Sequence, residues 1–480
     1  MTAPDVVVWL RRDLRLADNP ALAKAVETGG RVFSLYVLDE DDPSPLGGAQ
    51  RWWLHHSLTT LGDAFASRRA PLTLRRGSPA KVVEAFAEEV GAGAVFWNRR
   101  YDAHGKAVDT ALKERLKGKG LDVRSFNGSL LREPWEIETG SGGWYKVFTP
   151  YRRALQKAGP ARETPFDAPD DIAGPRKYPP GDDLADWDLT PTKPDWAADF
   201  PDWWTPGEDG AHARLKAFLN GPVETYDDDR NRPDKEGTSR LSPHLAFGEI
   251  SPLQIWRAGR AALEAGDAPE GHVMSFLSEI AWREFSYVLL HFNPEMAEEP
   301  LKPEFAKFPW SDDEDAFERW TTGRTGFPIV DAGMRQLWET GWMHNRVRMI
   351  VASFLVKNMM VHWRRGERWF WDTLVDADPA SNAAGWQWVA GSGADAAPYF
   401  RIFNPVTQSQ KFDPDGAYVR RFVPELRDLP AKHVHAPFDA TDKVLAAAGV
   451  RLGRDYPAPM LDLKKTRAAA LDAYDAVRNT

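Results

Sequence analysis

The sequence predicts two domains of different class: an α/β domain on a Rossmann-like, five-stranded parallel sheet, then an all-α domain. Three observations predict it. At 480 residues the chain exceeds what one hydrophobic core usually organises. Its first 130 residues alternate short apolar runs with longer helix-like stretches, the pattern of a doubly wound sheet. Beyond about residue 206 strand-like runs vanish and helical spacing takes over.

The elements follow in order. Val6-Val7-Val8-Trp9-Leu10 is continuously apolar, as a parallel strand buried on both faces requires. Segments 32–38, 72–74, 94–97 and 123–126 repeat the signal, and 51–68, 79–90 and 106–117 suit the intervening helices. The turn after the first strand reads Arg11-Arg12-Asp13-Leu14-Arg15. Without glycines to admit a pyrophosphate to the backbone, it is not expected to be an ordinary dinucleotide site. Residues 160–206 are rich in Pro, Asp and Gly and predict an extended connector laid over the surface. Segments 212–219, 253–263, 273–291, 332–363 and 368–375 then suit helices. The expected division is 1–130, a linker over 131–205, and a helical domain over 206–480.

Composition narrows the function. Cysteine is absent, which excludes disulfides and thiolate metal sites. No apolar run approaches the roughly 20 residues that span a bilayer. The start, MTAPDVVVWLRRDLR, has no basic leader before its short apolar stretch. A cytoplasmic protein with no membrane partner is expected. The net charge of −9 runs against nucleic acid as a partner. Locally the balance reverses: Arg335 to Arg368 holds seven Lys/Arg against Glu339 and Glu367, enough for one basic face. Ten of the 21 tryptophans fall between Trp282 and Trp388. They suit a core rich in large aromatics, or a stacking or redox role, and composition does not separate these.

Four segments carry candidate chemistry. In the first, Tyr226-Asp-Asp-Asp-Arg230 precedes Gly237, Thr238, Ser239, Arg240, Leu241, Ser242 and Pro243. Ser242 suits an N-cap and Pro243 the first helical position. A helix start beside hydroxyls and an arginine is either a plain cap or an anion site apt for a pyrophosphate. In the second, Glu279, Trp282 and Arg283 share one helical face, ready to grip a flat heterocycle or to form an ion pair beside a core Trp. In the third, GWMHNRVRM, Asn345 and Met349 project together as an amide and a soft apolar contact. Arg346 and Arg348 point elsewhere, towards a phosphate or a carboxylate. His344 reads as a structural histidine. In the fourth, DADPASNAAGWQW, Asp376 and Asp378 precede Asn382 and Trp386, which share a face if the segment is helical. The small residues between would let a planar ring approach. No histidine lies at a metal-ligand spacing nearby, so no metal is expected.

These segments, in this order and spacing, closely resemble the flavin domain of the photolyase/cryptochrome family. VVWLRRDLRLADNPAL resembles its N-terminal signature and FRIFNPVTQSQKFDPDG its C-terminal one. The resemblance covers nearly the whole chain and is nearest to bacterial cyclobutane pyrimidine dimer photolyases. It implies an antenna domain over 1–130 and a catalytic domain over 206–480 that binds FAD in a U shape. Tyr226, Thr238, Ser239, Arg240, Leu241 and Ser242 would hold the phosphates, with Arg283 nearby. Asp376 and Asp378 would face the isoalloxazine edge, Arg348 would pair with Asp376, and Asn382 would lie against flavin N5. Glu279, Trp282, Asn345 and Met349 would line the cavity for a flipped-out dimer. Arg230, Arg346 and Gln408 match positions near DNA. Trp386, Trp363 and Trp310 match an electron relay from flavin to surface, while Trp320, Trp338 and Trp342 are extra aromatics that branch it or simply pack.

The activity so implied is light-driven repair of dimers in double- or single-stranded DNA, by electron transfer from excited FADH⁻ to the dimer, in a monomeric deoxyribodipyrimidine photo-lyase. Two related readings compete. A cryptochrome light sensor would often carry Asp or Cys where Asn382 stands, and a long signalling tail, whereas this chain ends soon after the flavin domain. A six-four photolyase would need a histidine acid, commonly at the sites of Asn345 or Met349. A dark flavoprotein oxidoreductase would need a nicotinamide site, and no glycine-rich fingerprint is present. A second, light-harvesting pigment is also implied. The family's usual Asn-Glu pair reads His104-Gly105 here, which disfavours the ordinary folate site. Methenyltetrahydrofolate bound in another way is preferred over a deazaflavin, with a second flavin or no antenna left open.

Overall fold

The strands form where five short apolar runs can each be buried on two faces. The computed structural model describes residues 3–395 and 401–478. Among them β1 (Val6–Leu10), β2 (Val32–Asp39), β3 (Thr73–Gly77), β4 (Ala94–Asn98) and β5 (Asp122–Phe126) make one parallel sheet. Its order is β3-β2-β1-β4-β5, with Val6 in register with Val32 and with Ala94. The central β1 is buried at every residue because helices cover both sheet faces. Those helices are α1 (Pro20–Glu27), α2 (Gly48–Ser67), α3 (Pro79–Glu89) and α4 (Ala103–Gly118). The predicted fold class holds.

In the turn after β1, side chains take up the polar groups. Arg11 pairs with Asp109 at 2.7 Å, and Arg15, wholly buried, donates to the carbonyls of Asp18, Gly128 and Gly248. The connector is more than a surface strap. After α5 (Phe148–Ala158) it has little regular structure, yet it buries Trp187, Phe200 and Trp204. Their rings lie 6.1, 5.2 and 5.6 Å from Tyr36, Trp52 and Trp53. Burial of that much aromatic surface pins a Pro-rich segment that propensity leaves extended.

The helices that follow are α6 (Glu208–Leu219), α7 (Tyr226–Asp229), α8 (Ser242–Phe247), α9 (Pro252–Ala265), α10 (Glu270–Phe292), α11 (Glu314–Thr321) and α12 (Pro328–Thr340). Next come α13 (Asn345–Ser353), α14 (Trp363–Thr373), α15 (Pro379–Ala390), α16 (Pro405–Phe412), α17 (Ala417–Phe422), α18 (Ala431–Val434), α19 (Asp442–Ala447) and α20 (Leu463–Arg478). The single helix expected over 332–363 is broken. Gly341 ends α12 in the left-handed region at φ +66, where a Cβ would be strained. His344 then caps α13, its Nδ1 accepting from the Arg346 N–H at 3.1 Å. His362 caps α14 in the same way through the Arg364 N–H. Between them Phe354–Asn358 widens into a π-turn. Apolar spacing continued through all of this, so the breaks were hidden.

Contacts divide the chain into two compact units. One comprises Met1–Glu224, Ser239–Pro294 and Val375–Ala380; the other comprises Thr225–Thr238, Glu295–Leu374 and Ser381–Thr480. No helix among the described residues is long and apolar enough to cross a membrane.

Candidate active site

In the first unit, α10 carries Glu279, Trp282 and Arg283, and consecutive residues on a helix project about 100° apart. Trp282 stacks on Phe148 of α5, ring centroids 3.5 Å apart and planes within 10°, with Phe285 edge-on at 6.0 Å. Arg283 turns away from it. Its guanidinium donates to the Ser129 carbonyl at 2.7 Å and lies 4.8 Å over the Tyr287 ring. The expected shared face therefore splits, leaving Trp282 on one side and Arg283 on the other. Glu279 lies half-buried on the same helix.

The segment entering α8 also departs from expectation. Leu241 occupies the cap position, with no side-chain cap bond, and Ser242 is already the first helical residue, its side exposed. Pro243 fixes the start one residue away from the predicted place. Arg240 adopts φ +50, uncommon for a non-glycine residue, and extends over the Trp203 ring at 5.8 Å. Ser239 is half-buried, and so is Thr238 in the second unit.

Asp376 and Asp378 are 7% and 6% exposed. The Tyr287 hydroxyl donates to Asp378 Oδ2 at 2.6 Å and the Ala380 N–H to Oδ1 at 3.1 Å. Gln50 of α2, fully buried, donates to the Ala377 carbonyl between the two acids at 2.7 Å. Burial and the neighbouring carboxylate push the Tyr287 phenol far above its ordinary range, so it stays a donor.

In the second unit, Tyr226 opens α7 with its ring buried and the Arg230 guanidinium 5.5 Å above it. Asn345 is exposed at the start of α13 and Met349 half-buried one turn on, so the pair shares a face as expected. Arg346 points elsewhere: Nη2 donates to Asn231 Oδ1 at 2.7 Å and the guanidinium lies 4.4 Å over Phe412. Burial lowers its pKa first, and repulsion from Arg230 and Arg401 lowers it further. A nearby anion would relieve that repulsion. Gln408 lies half-buried on α16. The sequence signature in this stretch begins at Phe400, outside the described residues. Arg348 donates from Nε to the Met343 carbonyl at 2.7 Å and lies 5.9 Å from the Trp342 ring.

The fourth segment is helical, as α15. Asn382 Nδ2 donates to Glu367 Oε1 at 2.7 Å and to the Glu367 carbonyl at 3.1 Å. The amide is therefore oriented with its Oδ1 turned away from Glu367. Burial, the largest cause, raises Glu367 to about 7 against its ordinary 4.5. One turn after Asn382, Trp386 is buried against Phe370 at 5.0 Å and Trp320 at 6.3 Å. Trp363 is buried, and His362 lies 5.8 Å from it and 4.9 Å from half-buried Trp310. Trp338 is 53% exposed and stacks on Trp369 at 6.3 Å.

Glu367, Tyr287, Gln50 and Asn231 were not legible as site residues. Each lies 15 to 327 positions from the group it holds, beyond any helical periodicity. Their one signal, a polar residue inside an apolar stretch, is too common to single them out.

A family description of the FAD binding domain of DNA photolyase matches residues 276–476, and one of DNA photolyase matches residues 6–170. The chain is 53% identical to a deoxyribodipyrimidine photo-lyase of Agrobacterium fabrum, over 100% of this chain and 99% of that protein. It is 39% identical to cryptochrome-1 of Arabidopsis thaliana, over 97% of this chain and 70% of that one. Among solved structures it is similar to a bacterial class III photolyase from Agrobacterium tumefaciens, with TM-score 0.96 and 52% identity, covering 100% and 99% of the two chains.

Proposed function

The chain belongs to the photolyase/cryptochrome family, and from that premise we propose that it repairs cyclobutane pyrimidine dimers in DNA under blue light. Asn382 carries this reading. Signalling branches of the family often have Asp or Cys there, and here an amide stands fixed by Glu367.

The donor set fits a flavin. Two buried carboxylates offer acceptors to ring N–H groups, Asn382 keeps a carbonyl oxygen free of Glu367, and Arg240 with Thr238, Ser239 and Ser242 suits a pyrophosphate. FAD, when bound and fully reduced, supplies the electron that light sends to the dimer and that returns after its ring bonds break. The chain's residues supply position. Asp376 and Asp378 would hold the isoalloxazine edge, and Arg348 would pair with Asp376. Tyr226 and Leu241 would help hold the phosphates, with Arg283 nearby. Glu279 would hydrogen-bond a pyrimidine edge, and Trp282, Asn345 and Met349 would line the cavity that receives the extruded bases. Extrusion costs a few kcal/mol and least for damaged bases, which selects the lesion. Trp386, Trp363 and Trp310 carry electrons from the surface.

The functional division is 1–130, 131–205 and 206–480. An antenna pigment belongs to the first, methenyltetrahydrofolate being preferred at a site other than His104-Gly105. The protein works as a cytoplasmic monomer.

Conversion of ultraviolet-damaged oligonucleotide to intact thymines tests the activity. We expect repair with reduced protein in blue light and none in the dark; equal, negligible conversion in both would refute it. Arg230, Arg346 and Gln408 lie near the DNA, with Arg346 reaching a phosphate. For Arg346→Ala, the slope of log affinity against log salt should flatten by about 0.9 on duplex DNA, one phosphate contact's share. An unchanged slope would remove Arg346 from the interface.

A further inference from the structure

We propose that Tyr287 is a positioning residue that fixes the Asp378 carboxylate and, through it, sets the redox potential of the flavin. The inference rests on the reading above that Asp378 faces the isoalloxazine edge.

Tyr287 itself has no part in the repair chemistry, yet everything around it restricts it to one pose. Its ring lies between the Arg283 guanidinium at 4.8 Å and the Tyr101 ring, edge-on at 5.9 Å and 82°. Arg283 is in turn held by the Ser129 carbonyl. The phenol oxygen therefore has one direction, and it meets Asp378 Oδ2 at 2.6 Å, the length of a strong charge-assisted bond. Both partners are buried, 6% exposed each. The backbone under the carboxylate is fixed as well. Gln50 is anchored by accepting from the Gly47 N–H at 3.1 Å and holds the Ala377 carbonyl at 2.7 Å. Two helices, α2 and α10, thus hold the same turn from side chains that touch nothing reactive.

A neutral donor differs from a cation in this place. It draws charge from the carboxylate without adding a full positive charge to a buried site, where fields are weakly screened. Without the hydroxyl, the negative charge on Asp378 is left more concentrated at the flavin edge. Adding electrons to the ring then becomes less favourable, and the potential falls.

Redox titration of the holoenzyme, followed by flavin absorbance, tests this. Tyr287→Phe deletes one oxygen and keeps the ring between Arg283 and Tyr101. At a fixed reductant ratio it should lower the reduced-to-oxidised flavin ratio by up to about tenfold, because only the part of one charge-assisted bond that differs between the two flavin states is read. Flavin content should hold, and the melting temperature should fall by no more than a few degrees, the cost of one lost buried bond in a chain of this size. Asp378→Asn is titrated beside it. A fall in Tyr287→Phe together with a rise in Asp378→Asn supports the proposal, and a rise in Tyr287→Phe overturns it. A shift in Asp378→Asn alone overturns the role of Tyr287. No shift in either removes Asp378 from the flavin edge, and the underlying reading fails instead. If Tyr287→Phe does not retain flavin, a fluorotyrosine at 287 gives a stronger donor of nearly the same shape. The ratio should then move towards reduced flavin, and no movement overturns the proposal.

Discussion

Replacing Trp363 with phenylalanine is expected to slow photoreduction of the oxidised enzyme by about tenfold or more, equivalent to at least 1.4 kcal/mol on the barrier. Repair by pre-reduced enzyme should change little. Trp363 opens α14 and is buried, with His362 between it and Trp310. Three residues on, Gly366 lies on the same face, and a Cβ there would come within 2.1 Å of the Trp386 indole edge. That close approach brings Trp386 against the face of α14 that Trp363 occupies. Phenylalanine fills most of the volume but oxidises far less readily, so packing survives while the relay is interrupted. Transient absorption gives the photoreduction rate and a dimer assay the repair yield. Equal loss of both would contradict the relay. Retained photoreduction in Trp363→Phe, with loss in Trp320→Phe, would move the path to Trp320, which lies 6.3 Å from Trp386.

What could be read in advance follows from how far each signal reaches along the chain. The strand Val6–Leu10 announced itself because a parallel strand must be apolar at every position, a local property. The helical stretch around Asn345 was read correctly as helix and wrongly as continuous, since Gly341 alone marks the break and Gly inside a helical pattern is tolerated. Ser242 looked like a cap on residue type; Leu241, buried at 2% exposure, takes that position instead, so tertiary burial overrode local preference. Asn382, Asp378 and Arg346 stand in local motifs that the sequence displays. Their partners Glu367, Tyr287 and Asn231 are not marked in this way, because those pairs form only once separate helices pack.

Glu367 gives the second large effect. Its carboxyl is raised to about 7 from an ordinary 4.5, chiefly by burial, against the partial relief of the Asn382 bond. The folded protein holds this proton more tightly than the unfolded chain does. Relative to a neutral residue, the stability cost is absent below about pH 4.5, grows between 4.5 and 7, and is complete above 7. Glu367→Gln removes the ionisation and should gain about 3 kcal/mol over the parent at pH 8 and nearly nothing at pH 4.5. Denaturant unfolding of both proteins across that range, at equal flavin concentration, measures the difference; a gap independent of pH would contradict the buried-carboxylate account. The same substitution carries a functional consequence. Above about pH 7 the ionised carboxylate can only accept, and it joins the Glu367 carbonyl in holding Asn382 Nδ2 towards it and Oδ1 away, whereas a glutamine amide can also donate and weakens that hold. If Asn382 acts through that oxygen, Glu367→Gln should lower the repair yield above about pH 7, where the protein also becomes more stable than the parent. A variant that gained both stability and yield would show that the orientation of Asn382 does not matter to repair.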